Sequence, residues 1–303
     1  MSLHTLNDFR ADDFCFPFSS PALILSQSMA MIPLEDSFND IIGKAQRGFK
    51  LSDDQLAQRA GVAVNELGRI EAGKAEVEII RKVAPVLNLG SAALVESARK
   101  SWRPEPRQLP GLEQFNTVYH DMTVNNYLVW DSTSKEAAVF DTGADSSPLL
   151  EFIEAQGLKI KLILLTHTHV DHVTDLPRLK AATGAPAYVS ELERIDGVEP
   201  FSEGRTFKMG ALGIETRQTS GHSAGGITYV VSGLAKPVAV VGDSIFAGSM
   251  GGGAVSYTDA LRNNRNKILS LPNDTVLCPG HGPLTTVAEE KLHNPFFPEF
   301  QTD

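Results

Sequence analysis

The segment Thr166-His167-Thr168-His169-Val170-Asp171-His172 follows a short, mostly apolar run, Lys161-Leu162-Ile163-Leu164-Leu165. The run reads as a buried strand, and the residues after it as the loop in which the strand gives out. Three imidazoles and a carboxylate so close together suit Zn, Fe or Mn, and no thiolate accompanies them to favour a purely structural site. Alternation along an extended chain puts His167, His169 and Asp171 on one side. A loop is then needed to turn His172 toward the same point. Surface histidines in a polar loop are the bland alternative, credible for one His and poor for a cluster with ligand spacing.

At 303 residues the chain has room for two domains, and its 42% hydrophobic and 21% charged content is that of a soluble globular protein. The net charge of −10 is unevenly spread. Residues 1–37 carry −4, residues 38–100 carry +2 and residues 101–303 carry −8. Only the middle segment could meet a phosphate backbone without repulsion. Cys15 and Cys278 are too few and too far apart for a disulfide framework or a CxxC metal site, which fits a reducing cytoplasm. No apolar run is long enough for a transmembrane helix. The stretch from Phe14 to Met31 is interrupted by Pro17 and Pro21 and preceded by Asp12 and Asp13, unlike a secretory signal. Residues 1–36 are expected to be a poorly ordered tail, or an extension upstream of a start at Met29 or Met31.

From Ser37 to about Lys100 the periodicity is helical. Phe38, Ile41, Ile42 and Ala45 share one face, and Gly48 stops that helix. Ser52 caps a helix over 53–60, Gly61-Val62 turns the chain, and further helices are expected over 63–72, 76–88 and 91–99. Leu51-Ser52-Asp53-Asp54-Gln55-Leu56-Ala57, Ala60-Gly61-Val62 and Ile70-Glu71-Ala72-Gly73 resemble the repressor-type (XRE-like) helix-turn-helix family. That resemblance implies a small all-α DNA-binding domain over 37–100, with Asn65, Arg69 and Lys74 as candidate DNA contacts. It also implies a homodimer, since such domains commonly pair. Residues 101–111, with three prolines, read as an extended linker.

Beyond the linker, residues 112–303 read as strands with isolated helices, implying two sheets or one large sheet covered by helices. Strands are expected around Tyr119, Val124–Trp130, Ala137–Phe140, Pro186–Val189, Phe207–Met209, Ile214–Gln218, Ile227–Val231, Val238–Val241 and Thr275–Leu277. Helices are expected over 147–155, 173–183 and 257–270. Three more candidate ligands stand beside glycines at strand ends: His222 in Ser220-Gly221-His222-Ser223, Asp243 in Val241-Gly242-Asp243-Ser244, and His281 in Pro279-Gly280-His281-Gly282.

His-x-His-x-Asp-His followed by a later His, a Gly-Asp and a final Gly-His resembles the metallo-β-lactamase superfamily, and within it the glyoxalase II-like hydrolases. The resemblance, covering residues 112–295, implies an α+β fold: an αββα sandwich, here preceded by the helix-turn-helix segment. It also implies two divalent metal ions, Zn first, with Fe or Mn as alternatives. His167, His169 and His222 would hold one ion, Asp171, His172 and His281 the other, and Asp243 would bridge them. Asp141 would orient a ligand imidazole from behind. The implied reaction is hydrolysis of a small-molecule thioester or lactone by a metal-bridging hydroxide, with Asp171 steering a proton and Asp243 as the bridging carboxylate.

Gly282-Pro283 stands where glyoxalase II has a tyrosine, and Met250-Gly251-Gly252-Gly253 where many relatives place a basic residue. Both departures count against recognition of glutathione. A single-iron persulfide dioxygenase and a ligand-sensing, DNA-binding transcriptional regulator with a metallo-β-lactamase-like sensor domain are the alternatives. No membrane partner is expected.

Overall fold

A computed structural model describes residues 31–301; an amino-terminal tail over 1–36 therefore falls largely outside the described residues. From Ile32 onward the chain forms one compact unit. Five helices come first: α1 Phe38–Gly48, α2 Asp53–Ala60, α3 Val64–Glu71, α4 Val77–Val86 and α5 Ser91–Arg99. Ser52 caps α2 by accepting from the Gln55 amide, and Gly61, at φ 64°, closes it in the left-handed conformation. Pro85 falls in the last turn of α4, which ends one residue later.

Then follow β1 Leu112–Tyr119, β2 Met122–Trp130, β3 Glu136–Phe140, α6 Ser147–Gln156, β4 Lys159–Leu164, α7 Val170–Val173, α8 Leu176–Thr183, β5 Ala187–Ser190 and β6 Glu199–Phe201. The chain continues with β7 Thr206–Met209, β8 Leu212–Gln218, β9 Ile227–Ser232, β10 Val238–Gly242, α9 Tyr257–Asn263, β11 Val276–Pro279, β12 Thr285–Thr286 and α10 Val287–His293. The first sheet runs in the order β1-β2-β3-β4-β5-β6 and the second in the order β12-β11-β10-β9-β8-β7.

Two differences from the sequence reading have local causes. The helix expected over 173–183 is split, because Asp175 breaks it to accept from the amide and hydroxyl of Ser146, leaving Pro177 in the first turn of α8. The long helix expected over 257–270 ends as α9 at Asn263 and continues as a π turn over Asn264–Ile268.

Strand alternation divides the apolar residues among three layers. Ala138 and Phe140 of β3, Leu162 and Leu164 of β4, Val238 and Val240 of β10, and Val276 and Cys278 of β11 meet between the sheets. The opposite residues Ala137, Val139 and Ile163 pack under α6 and α8 with Leu149 and Leu179. On the far face, Ala239, Val241 and Leu277 join one apolar cluster with Ile41, Ile42, Ile80 and Leu94 of the five helices, together with Tyr257, Phe296 and Phe297. The helical segment thus forms part of the second helical layer of an αββα sandwich. The proline-rich stretch over 101–111 is tied down as well: Trp102 stacks on His293 with centroids 4.6 Å apart, and Arg107 pairs with Glu289 at 2.7 Å. Among the described residues, no helix is long and apolar enough to cross a membrane.

Candidate metal centre

The carboxyl ends of β3, β4, β8, β10 and β11 point to one edge of the sandwich, and the residues following them supply the chemistry. Asp141 follows β3, the histidine loop follows β4, His222 follows β8, Asp243 follows β10 and His281 follows β11. Strand alternation does not carry as far as Asp171. The loop closes into the single turn α7, with the His172 amide donating to the His169 carbonyl at 3.0 Å, and this turn swings Asp171 and His172 to the centre. Two glycines permit the close approach. A Cβ on Gly242, where φ is 50°, would stand 2.5 Å from Thr166 Oγ1, and one on Gly280 would stand 2.1 Å from Asp243 Oδ1.

Two sets of ligand atoms result. His167, His169, His222 and Asp243 form one, and Asp171, His172 and His281 the other, with ligand atoms within 4.8 Å of one another in each set. Asp243 reaches both: Oδ2 is 3.3 Å from His222 Nε2 and 3.5 Å from His281 Nε2, while Oδ1 is 3.3 Å from His172 Nε2.

Outer hydrogen bonds aim the rings. His172 Nδ1 donates to Asp141 at 2.9 Å, His222 Nδ1 to the Gly252 carbonyl at 3.0 Å, and His281 Nδ1 to the Thr123 carbonyl at 2.6 Å. His167 Nδ1 lies 3.0 Å from Thr166 Oγ1, which itself donates to Asp141 at 2.7 Å. The Nε2 atoms of all four rings are thereby left facing inward.

Residues 121–281 match the Metallo-beta-lactamase superfamily. The chain belongs to that superfamily. It is 32% identical over 197 residues to the hydroxyacylglutathione hydrolase GloC of Haemophilus influenzae, covering 57% of this chain and 92% of that protein. It is 28% identical over 194 residues to the probable metallo-hydrolase YqgX of Bacillus subtilis, covering 54% and 89%. The crystal structure of the BLEG-1 B3 metallo-beta-lactamase superposes with a TM-score of 0.53 at 28% identity, covering 61% of this chain and 99% of that one.

The donor set of this metallo-beta-lactamase superfamily chain fits divalent cations. His167 Nε2 and His169 Nδ1 converge to 3.1 Å, and His169 Nδ1 and His222 Nε2 to 3.0 Å, so three ring nitrogens meet where a cation could take a lone pair from each. His172 Nε2 and Asp243 Oδ1 are buried and face each other without forming a hydrogen bond. Burial drives the His167 pKa well below its ordinary value, and the neighbouring imidazoles add to the effect; His222 is lowered for the same reasons. Burial opposes charging of His172 and His281 too, but Asp243, with Asp141 beside the first and Asp171 beside the second, pushes them up to about 10 and about 11. Asp243 is itself held well below the carboxylate range by His281 and His172, despite its burial.

Several residues of the site carry no signal in the sequence. Glu193 accepts from the Thr168 amide at 3.0 Å and hydroxyl at 2.5 Å, and from the Gly225 amide at 3.0 Å, joining the histidine loop to the loop of His222. Asn125 of β2 donates to the Pro279 and Gly282 carbonyls at 2.9 and 2.8 Å, clamping the turn of His281. From the amino-terminal side come Glu35, 4.0 Å from His281 Nδ1, and Asp36, which accepts from Ser249 Oγ at 2.6 Å. Desolvation raises the Glu35 pKa, a shift that His281 opposes and that Asp36 and Asp243 reinforce. The residues expected to meet DNA lie elsewhere. Asn65 and Lys74 are exposed, and Arg69 is engaged by Glu76 at 2.6 Å.

Proposed function

We propose that this chain is a two-metal hydrolase of a small thioester or lactone. The observation that carries the reading is the double ligand set with Asp243 reaching into both halves. His167, His169 and His222 would hold one divalent ion, Asp171, His172 and His281 the other, and Asp243 would join them. Such ions supply a water of lowered pKa as nucleophile and polarise the acyl carbonyl.

The protein residues divide the remaining work. Asp141, Thr166 and the Gly252 and Thr123 carbonyls hold the imidazoles in one tautomer. Asp171, with a side chain 14% exposed and 3.3 Å from His281 Nε2, borders solvent and is placed to pass a proton to the leaving group. His169 is exposed, and substrate would enter on that side. Support for a thioester comes from the likeness to GloC, which is named as a hydroxyacylglutathione hydrolase.

Metal analysis of the reconstituted protein, coupled to a screen of thioesters, lactones and phosphodiesters, tests this. About two ions per chain and ester or thioester turnover, both lost in Asp243→Ala, are expected. A folded protein that takes up no metal refutes it.

A second reading, a DNA-binding regulator of helix-turn-helix type, draws on the α2–Gly61–α3 turn and the exposure of Asn65 and Lys74. The Arg69–Glu76 pair and the packing of the five helices on the second sheet count against it. A mobility-shift assay across a salt series tests it: without sequence-specific retention the regulator reading falls.

A further inference from the structure

Residues ahead of the family match reach the metal centre. The backbone over 33–35 lies on Gly282, the residue after His281: a Cβ there would stand 3.4 Å from the Glu35 amide nitrogen and 3.5 Å from the Pro33 carbonyl oxygen. This places the Glu35 carboxylate 4.0 Å from His281 Nδ1. That nitrogen is already committed to the Thr123 carbonyl at 2.6 Å, so Glu35 is not the group that orients the ring.

Of the other charges in residues 33–44, Asp40 turns back to Ser37 at the start of α1, and the remaining two pair with each other. Asp36 pairs with Lys44 and accepts from Ser249 Oγ, and Lys44 also donates to the Met250 carbonyl at 2.9 Å. Their side chains are only 9% and 15% exposed, whereas that of Glu35 is 25% exposed. Among the described residues, the Glu35 carboxylate is left without a Lys or Arg partner, 25% exposed, beside the outer nitrogen of His281 in the half formed by Asp171, His172 and His281.

We infer that Glu35 is a specificity-determining residue that selects substrates by charge. Resting on the hydrolase reading above, it directs the site toward acyl compounds whose group beside His281 is cationic or neutral, and away from those carrying a carboxylate there. A bare carboxylate at short range in a partly desolvated setting attracts a cation and repels an anion, and neither effect requires the substrate to touch it. Because residues 33–44 lie outside the matched region 121–281, this selectivity would be particular to chains with such an amino-terminal segment.

Small thiols of one size and different charge test this on the full chain loaded with Co(II), with binding read from the thiolate-to-cobalt absorption band. The probes are cysteamine, 2-mercaptoethanol and mercaptoacetate. Relative to wild type, Glu35→Gln is expected to bind mercaptoacetate about fivefold to tenfold more tightly and cysteamine more weakly by a similar factor, with 2-mercaptoethanol unchanged. The changes should shrink as salt rises from about 0.05 to about 0.5 M. Glu35→Asp, which keeps the charge, should retain the wild-type ordering. Cobalt content is counted in the same samples. A folded chain that holds no metal refutes the hydrolase reading and this inference with it. Two bound ions with the three thiols moving together, or not at all, refute the charge selection alone.

Discussion

Lys44 Nζ on α1 donates to the carbonyl of Met250 at 2.9 Å, while lying 5.1 Å from the centroid of the Phe246 ring. A helix outside the family match is thereby fastened to the glycine-rich loop whose Gly252 carbonyl orients His222. Replacing Lys44 by Met leaves Asp36 largely buried and unpaired. A loss of about 2–4 kcal/mol in denaturant unfolding is expected. The double variant Lys44→Met, Asp36→Asn should recover at least half of it, because the stranded charge is gone. Equal losses in the two proteins would show that the pair is not the cause.

The five helices cover apolar groups that the sandwich cannot hide by itself. Val241, Ile245, Leu261, Leu277, Phe296 and Phe297 all belong to the cluster shared with α1, α4 and α5. A protein beginning at residue 101 is therefore expected to aggregate, or to bind a hydrophobic dye, rather than fold to a stable monomer. A soluble, cooperatively unfolding fragment would show instead that the helices are dispensable.

Asp141 stands at φ 56°, a left-handed conformation that Asn, like Asp, adopts more readily than other non-glycine residues. The substitution Asp141→Asn should therefore leave the turn intact. What it removes is a carboxylate that accepts from the Thr166 amide and hydroxyl, each at 2.7 Å, and from His172 Nδ1 at 2.9 Å. The amide NH2 would oppose one of those donors, loosening His172 and, through Thr166, His167. Metal affinity measured by chelator competition is expected to fall about 10-fold to 100-fold. Unchanged affinity would deny Asp141 its orienting role.

The clustering of the candidate ligands could be anticipated because their signal is local. His167 to His172 are near neighbours in sequence, and His222, Asp243 and His281 each stand beside a glycine at a strand end. The turn of α7 was not legible, since alternation predicts where a strand points but not how a loop closes. Glu193 and Asn125 were invisible for another reason: each acts on residues 25 or more positions away, through hydrogen bonds that no spacing rule encodes. The amphipathic face of α1 announced that Ile41, Ile42 and Ala45 would be buried, but not against what. A linker rich in proline suggested separation, whereas Trp102 stacks on His293 and Arg107 pairs with Glu289, both of α10, and Pro104 is buried.

Glu290 of α10 is fully buried and accepts from the Gly248 amide at 3.0 Å, Thr285 Oγ1 at 2.7 Å and Asn294 Nδ2 at 2.8 Å. Burial nevertheless wins over these donors and pushes its pKa from 4.5 up to about 8. A carboxyl that holds its proton more tightly when folded stabilises fully below the unfolded value. That contribution is lost as pH rises from about 4.5 through about 8, and levels off beyond. Over the whole window the effect is on the order of 5 kcal/mol. In Glu290→Gln the group no longer titrates, and the variant should lose much less stability between pH 5 and 8.5 than the wild type does. The two proteins are compared by urea midpoint across that range. Parallel pH profiles would mean that Glu290 is ionised in the folded chain throughout, and that its hydrogen bonds outweigh its burial.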